Sequence, residues 1–156
     1  MQVTDSTRLM IRDFRPSDVK QMTVQEAQLG DYAIIGSMTD DDWAKAGSLG
    51  VARTACKGST VYGCAGLMKV WDGRAIAWAL LSNRVHRYHL LFITRWIMCF
   101  LDWCGEDMNL RRIETPVRCD FPQAARWAEM LGFEQEGRMT YYCPDGTSSF
   151  LYARTR

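Results

Sequence analysis

The feature that most constrains this chain is a change of hydrophobic period between residues 50 and 105. From Gly50 onward side chains alternate in steps of two through three runs, 51–55, 60–70 and 74–81, separated by Lys57-Gly58 and Asp72-Gly73. Glycine-containing turns between β-rich runs describe consecutive antiparallel hairpins, a three-strand meander. The period then becomes helical. Leu90, Ile93, Ile97, Phe100, Leu101 and Cys104 recur at steps of three and four, predicting an amphipathic helix of about four turns that ends at Gly105. A sheet with a helix packed against it is an α/β arrangement.

The flanks extend this core. Residues 8–14 read as a first strand, with Leu9, Ile11 and Asp13 on one side and Met10, Arg12 and Phe14 on the other. Pro16-Ser17-Asp18 opens a helix that Ser17 caps, and its apolar stripe of Val19, Met22, Val24 and Leu29 carries it to Gly30. A second short helix follows Thr39, with Asp40, Asp41 and Asp42 at the positive end of its dipole. Beyond the long helix, residues 112–119 read as a strand, and Asp120-Phe121-Pro122-Gln123 as a capping box with proline in the first turn. Ala124, Trp127, Ala128 and Leu131 face inward, and Gly132 stops that helix. Residues 138–142 and 149–153 form a closing hairpin around Pro144-Asp145-Gly146. With no repeat, low-complexity tract or linker, one domain spanning residues 1–156 is expected.

Composition matters for what it excludes. Nineteen Lys and Arg against 18 Asp and Glu leave no net field to recruit a nucleic acid or an anionic membrane, so any anion site must be local. No eighteen-residue apolar run is present, and residues 1–13 lack the charged-then-apolar layout of a signal peptide, so a cytoplasmic protein is expected. Cys56, Cys64, Cys99, Cys104, Cys119 and Cys143 are scattered without a C-x-x-C pair and read as buried reduced thiols. With only His86 and His89 to join them, a metal cluster is not expected. Trp43, Trp71 and Trp103 lie near element ends, as core or cleft residues or as an interaction patch.

The order of strand, two helices, meander, long helix, strand, short helix and hairpin resembles the GNAT (N-acetyltransferase) superfamily from end to end. Local sequences add to it: Arg8-Leu9-Met10-Ile11-Arg12 followed by Pro16-Ser17-Asp18, the helix from Ala124 through Trp127 into Leu131-Gly132-Phe133, and Glu136-Gly137 just after. Cys64-Ala65-Gly66, Ala77-Trp78-Ala79-Leu80-Leu81 and Tyr142-Cys143-Pro144-Asp145-Gly146 are similar to GNAT-like proteins of tailed phages, related to internal virion proteins of short-tailed phages. That narrower likeness implies a place in the host cytoplasm or the virion. The wider one implies the GNAT α+β fold, a mixed and mostly antiparallel sheet of about six or seven strands flanked by about four helices. It also implies acetyl-CoA as acyl donor and an amine acceptor, a protein amine among the options, in a monomer or a homodimer.

In that family the pantetheine arm of acetyl-CoA lies where the fourth strand splays from the fifth, bonded to fourth-strand backbone like an added strand. Here that strand is residues 74–81, whose amides at Leu80 and Leu81 would polarise the thioester carbonyl. A plain core strand accounts for the same residues. The family's pyrophosphate loop, R-x-x-G-x-G/A, is replaced by Ser82-Asn83-Arg84-Val85-His86-Arg87-Tyr88-His89, without a glycine to admit close backbone approach. Ser82, Arg84, His86 and Arg87 are the candidate phosphate contacts, because cations at a helix N-terminus oppose its dipole and arginine forks bind phosphate bidentately. A solvated cationic loop or a protein-contact patch is the alternative.

The family's frequent tyrosine four residues before the glycine of Leu-Gly-Phe is Ala128 here, and its frequent asparagine falls near Phe121. The substitute acid and base candidates are Glu114, Tyr141 and Tyr88, with Tyr142, Glu26 and His86 also titratable. Two functions follow: an acetyl-CoA-dependent N-acetyltransferase with a non-standard pyrophosphate loop, or a catalytically inactive GNAT-fold phage protein that binds a host protein or serves in the virion.

Overall fold

A computed structural model describes residues 8–30, 37–48 and 50–156 of the chain. The first seven residues, on which the signal-peptide reading partly rests, lie outside the described residues. Strand β1 (Met10–Asp13) pairs antiparallel with β2 (Gly50–Lys57), and β2 with β3 (Thr60–Trp71) across a bulge at Ala55/Cys56. The turn after β3 leads to β4 (Arg74–Leu81). Gly73 makes that turn at φ 88°, a backbone conformation that favours glycine, with the movable Arg111 guanidinium packed beside it.

Strand β4 pairs parallel with β5 (Arg112–Arg118) over three residues, Arg74↔Arg112 to Ile76↔Glu114. Strand β7 (Ser149–Thr155) lies between β5 and β6 (Glu134–Met139), antiparallel to both. The sheet order is β1-β2-β3-β4-β5-β7-β6, seven strands in a mixed, mostly antiparallel sheet. The helices are α1 (Pro16–Gln21), α2 (Asp40–Ser48), α3 (Arg87–Asp107) and α4 (Pro122–Met130). No helix among the described residues is long and apolar enough to cross a membrane.

The chain forms two compact units, with β3, β4 and α3 each contributing to both. In the first, Val19, Met22, Val24, Val61, Cys64 and Leu80 are buried together, with Phe14, Trp43 and Trp78 packed against them. Those three rings meet in tilted and edge-on contacts, 4.9 to 6.0 Å between centroids, so Trp43 packs against the core. In the same unit Asp18, 1% exposed, accepts from both Arg12 Nη atoms (2.8 and 2.6 Å), from Thr54 Oγ1 (2.7 Å) and from the Arg15 N–H (2.9 Å). Burial pushes this carboxyl upward, but the hydrogen bonds from Arg12, Thr54 and Arg15 outweigh it and hold Asp18 below its ordinary value.

In the second unit Ile97, Phe100, Leu101 and Cys104 of α3 are buried, as are Ile113, Val117, Ala128, Leu131, Tyr152 and Ala153. The Trp127 indole N–H donates to Thr94 Oγ1 at 2.8 Å and ties α4 to α3. Gly132 terminates α4 at φ 88°, with its N–H on Glu129 O and the Phe133 N–H on Ala128 O, a Schellman ending. Trp71 and Trp103 are 59% and 49% exposed, Trp71 with the Arg74 guanidinium 4.2 Å above its ring.

Several local expectations are corrected. The first helix stops at Gln21 instead of reaching Gly30, because Val24 leaves it to bridge Ser82; a single 3-10 turn, Glu26–Gln28, follows. Its cap position is Arg15, not Ser17, with Asp18 receiving the Arg15 N–H. At Thr39 the acid run contains a reciprocal cap: Asp42 accepts from the Thr39 N–H (2.8 Å) and Thr39 Oγ1 accepts from the Asp42 N–H (3.2 Å). The box expected from Asp120 does not form, since Arg118 holds that carboxylate at 3.0 and 3.1 Å. Helix α3 runs through Gly105 and ends in a Schellman motif at Asn109, φ 49°. The last hairpin begins at Glu134 rather than at residue 138, and its connection is correspondingly longer. Cys99 is exposed, and Cys119 and Cys143 are half-buried, so only Cys56, Cys64 and Cys104 fit the buried-thiol reading.

Removing the Asp18 charge should be costly, because Arg12 and Thr54 would face a partner that no longer satisfies them. We expect Asp18→Asn to lower unfolding free energy by about 3 kcal/mol in a urea titration. Since the folded carboxyl lies below its ordinary value, its contribution is complete above the usual carboxylate range and is lost as pH falls through the folded pKa.

Candidate functional site

The site is built at the end of β4, in the first unit. The Ser82 N–H donates to Tyr62 O at 2.8 Å, toward β3. Strand alternation therefore turns the Leu80 backbone groups toward β3 as well, and those of Ala79 and Leu81 to the opposite edge. Leu80 and Ser82 are fully buried, so what they offer a ligand is backbone, not side chain.

That outer edge is occupied by the chain itself. Residues 23–25 lie along it: the Asn83 N–H donates to Thr23 O (2.8 Å) and the Gln25 N–H to Leu81 O (3.1 Å). The buried carboxamide of Gln28 completes the coverage. Its Nε2 donates to Ala79 O and its Oε1 accepts the Leu81 N–H, both at 2.9 Å. Of the two amides expected to polarise an acyl carbonyl, Leu81 therefore already has an acceptor and Leu80 faces β3.

The loop after β4 closes on itself in the same way. Ser82 Oγ accepts the Arg84 N–H (3.1 Å), Ser82 O accepts the Val85 N–H (3.1 Å), and His89 Nδ1 accepts the His86 N–H (3.2 Å). None of residues 82–89 takes a positive φ, which is why the turn forms without glycine. The amides of Arg87, Tyr88 and His89 remain as first-turn donors with no intrahelical acceptor. Around them stand Arg84, His86 and Arg87, all exposed. Neither Arg84 nor Arg87 has an ion-pair partner among the described residues.

The two histidines differ. His89 is 9% exposed, packed against Tyr62 (4.5 Å between centroids) and Tyr88 (4.4 Å). Burial, with His86 and Lys57 nearby, holds it below the usual histidine value. As an acceptor its Nδ1 must be unprotonated, so His89 caps α3 as a neutral ring, in the place where glutamate usually reaches back to the cap residue. Tyr88, 68% exposed, stands in the first turn of α3.

In the second unit Glu114 is buried and saturated. It accepts from Arg74 Nη2 and from Arg112 Nε (2.5 Å), while Arg112 also grips Glu136 at 2.6 Å. The Arg74 hydrogen bond, with the help of Arg112 and against burial, holds Glu114 below the usual glutamate value. A carboxylate stabilised by two guanidiniums is a weak proton acceptor. Tyr141 is 80% exposed at φ 54° in the turn after β6 and Tyr142 is 54% exposed, while Glu26 is exposed in the 3-10 turn. Ala128 is buried.

Solved structures share this fold over nearly the whole chain. A spermidine N-acetyltransferase chimera from Vibrio cholerae and hSSAT is 14% identical, with 96% of each chain covered and a TM-score of 0.71. Ard1 from Thermoplasma volcanium is 18% identical, with 94% of this chain and 97% of that one covered and a TM-score of 0.71. The fold is the GNAT fold. A ribosomal-protein alanine acetyltransferase from Vibrio fischeri is similar in the same way, 12% identical over 99% of this chain and 95% of its own, at a TM-score of 0.67. No protein-family model matches the sequence, and no curated protein matches it significantly.

Within this GNAT fold, sequence reasoning brought Leu80 through Arg87 to one place but missed Gln28. Its partners are 51 and 53 residues away, and an uncharged polar residue on an apparently continuous helix carries no signal of that. His89 was read only as part of a basic loop, although its position three residues after His86 matches a cap pair. We expect the structural role of His89 to make stability depend on pH. Because its folded pKa is lowered, its contribution is fully present above the unfolded value of about 6.5 and is lost as pH falls through the folded pKa. The thermal midpoint should fall between about pH 7.5 and 5.5, and His89→Gln should flatten that slope; parallel slopes would assign the pH dependence elsewhere.

Proposed function

We propose that this chain is an N-acetyltransferase that takes its acyl group from acetyl-CoA and passes it to an amine. The observation that carries this reading is the pair of exposed guanidiniums, Arg84 and Arg87, at the N-terminus of α3 directly after β4 of a GNAT fold. Positive side chains there oppose the helix dipole, and a phosphate would relieve that opposition. Two arginine forks and the first-turn amides would hold the pyrophosphate, with His86 beside them. The Ser82 turn fixes the loop, and the acyl arm would run along the outer β4 edge at Ala79 and Leu81, since Leu80 faces β3. Attack by a neutral amine would give a tetrahedral oxyanion, and the leaving thiolate would take a proton. Tyr88 and His86 are the titratable side chains adjoining the loop. Tyr141 is an exposed phenol elsewhere in the chain, and Glu114 enters only if released from Arg74 and Arg112. The neighbours' names speak of spermidine and of ribosomal protein as acceptors; for this chain we propose a cytoplasmic amine, with a protein amine included.

A second reading is favoured by a separate observation. The amides of Asn83 to His86 each have an internal acceptor, and Glu114 and Ala128 supply no evident base or acid. These facts suit a GNAT-fold module that has lost catalysis and binds a protein, such as a phage protein acting on its host or within the virion.

Calorimetric titration with acetyl-CoA separates the two, with free CoA and a nucleotide of similar charge as controls. The enzyme reading expects micromolar binding that depends on the pantetheine arm. It also expects the double charge reversal Arg84→Glu, Arg87→Glu to weaken binding by at least about a hundredfold with an unchanged melting temperature. No binding at millimolar acetyl-CoA would favour the binding module, and unchanged affinity in the double variant would remove these arginines from the phosphate site.

A further inference from the structure

The outer edge of β4 carries a carbonyl at Ala79 and an amide at Leu81, two residues apart, and one side chain satisfies both. The Gln28 carboxamide presents a donor and an acceptor in one plane, the same pair of groups that a secondary amide or an acyl-bearing ligand would present to a strand edge. Both contacts are 2.9 Å, and Gln28 is 8% exposed, so the occupancy is complete and nearly dry. It is held from a single 3-10 turn, Glu26–Gln28, followed by Leu29 at 54% exposure. Short 3-10 turns make poorer hydrogen bonds than an α-helix, so moving Gln28 breaks little regular structure.

We propose that Gln28 is an internal occupant of the ligand edge, whose carboxamide must leave Ala79 and Leu81 before an extended ligand carrying amide and carbonyl groups can bind there. It therefore sets the affinity of the edge for such a ligand. Its Oε1 occupies the acceptor position on Leu81 that an acyl carbonyl oxygen would take, and its Nε2 occupies the donor position on Ala79 that an amide N–H of the arm would take. The competition is one to one, and apparent affinity is reduced by the fraction of molecules in which Gln28 is bound to the edge. This inference rests on the reading of the β4 edge as the site of the acyl-donor arm, and it identifies the residue that controls entry.

The test is calorimetry of acetyl-CoA with the full-length wild type and with Gln28→Ala. Gln28→Met serves as a second variant that keeps buried volume without a strong donor or acceptor. Thermal melts establish that each variant is folded. We expect acetyl-CoA to bind about tenfold more tightly to Gln28→Ala than to wild type, with Gln28→Met shifted in the same direction. Equal or weaker binding by both variants would overturn the role of Gln28 while leaving the acetyl-CoA reading intact. If none of the three proteins binds acetyl-CoA, that reading fails, and the edge is tested with pantetheine alone while the Leu81 backbone amide resonance is followed by NMR. A shift in Gln28→Ala that is absent or smaller in wild type upholds the displacement; no shift, or equal shifts, overturns it.

Discussion

A strand edge cannot be buried with its peptide groups unpaired, and in this molecule that requirement governs everything near β4. Strand β4 is registered with β5 only from Arg74 to Ile76, so the peptide groups beyond need partners from elsewhere. Residues 23–28 supply them, through backbone at Thr23 and Gln25 and through the side chain of Gln28. The early end of α1 follows from this. A helix continued to Gly30 would leave the Leu81 and Asn83 peptide groups without these acceptors and donors. Val24, β-branched and bridged to Ser82, is suited to the extended conformation that replaces it.

The loop that follows obeys the same rule by another route. Glycine-rich phosphate loops leave their amides free for an anion, whereas residues 83–86 spend theirs on Thr23, Ser82 and His89. An anion at this loop must therefore rely on side chains and on the first turn of α3. Arg84 and Arg87 are suited to that, since a guanidinium keeps its charge and its fork geometry at any physiological pH. His89 is not, because its ring is neutral and structural. The local positive charge is thus carried by arginine, with His86 the one exposed imidazole beside it.

Two buried carboxylates show how arginine is used elsewhere in the molecule. Asp18 and Glu114 are 1% and 6% exposed, and each is held by a guanidinium and at least one further donor. A lone carboxylate at such depth would be neutralised, and the added donors keep both ionised. Asp18 joins β1, α1 and β2 through Arg12, Arg15 and Thr54. Glu114 joins β4 and β5 through Arg74 and Arg112. A glutamate on a strand beside a cleft reads as a general base from sequence, yet its partners make this one a structural ion, and nothing in the sequence pairs it with Arg74, 40 residues before it.

Order and type of elements were legible in the chain, because hydrophobic period and turn chemistry are local. The period of two from Gly50, its change at Leu90, and the glycines at 73 and 132 place the meander, the long helix and the end of α4 with little help from the rest of the fold. Element ends were less legible where tertiary partners compete with local signals: Arg118 takes Asp120 from its cap, and Asn109, not Gly105, closes α3. The candidate phosphate contacts are continuous in sequence and could be named from it. Gln28 on the β4 edge, neutral His89 under Tyr62 and saturated Glu114 were decided only by tertiary structure, since each depends on groups brought together from distant positions, and no local pattern records which peptide group a side chain will meet.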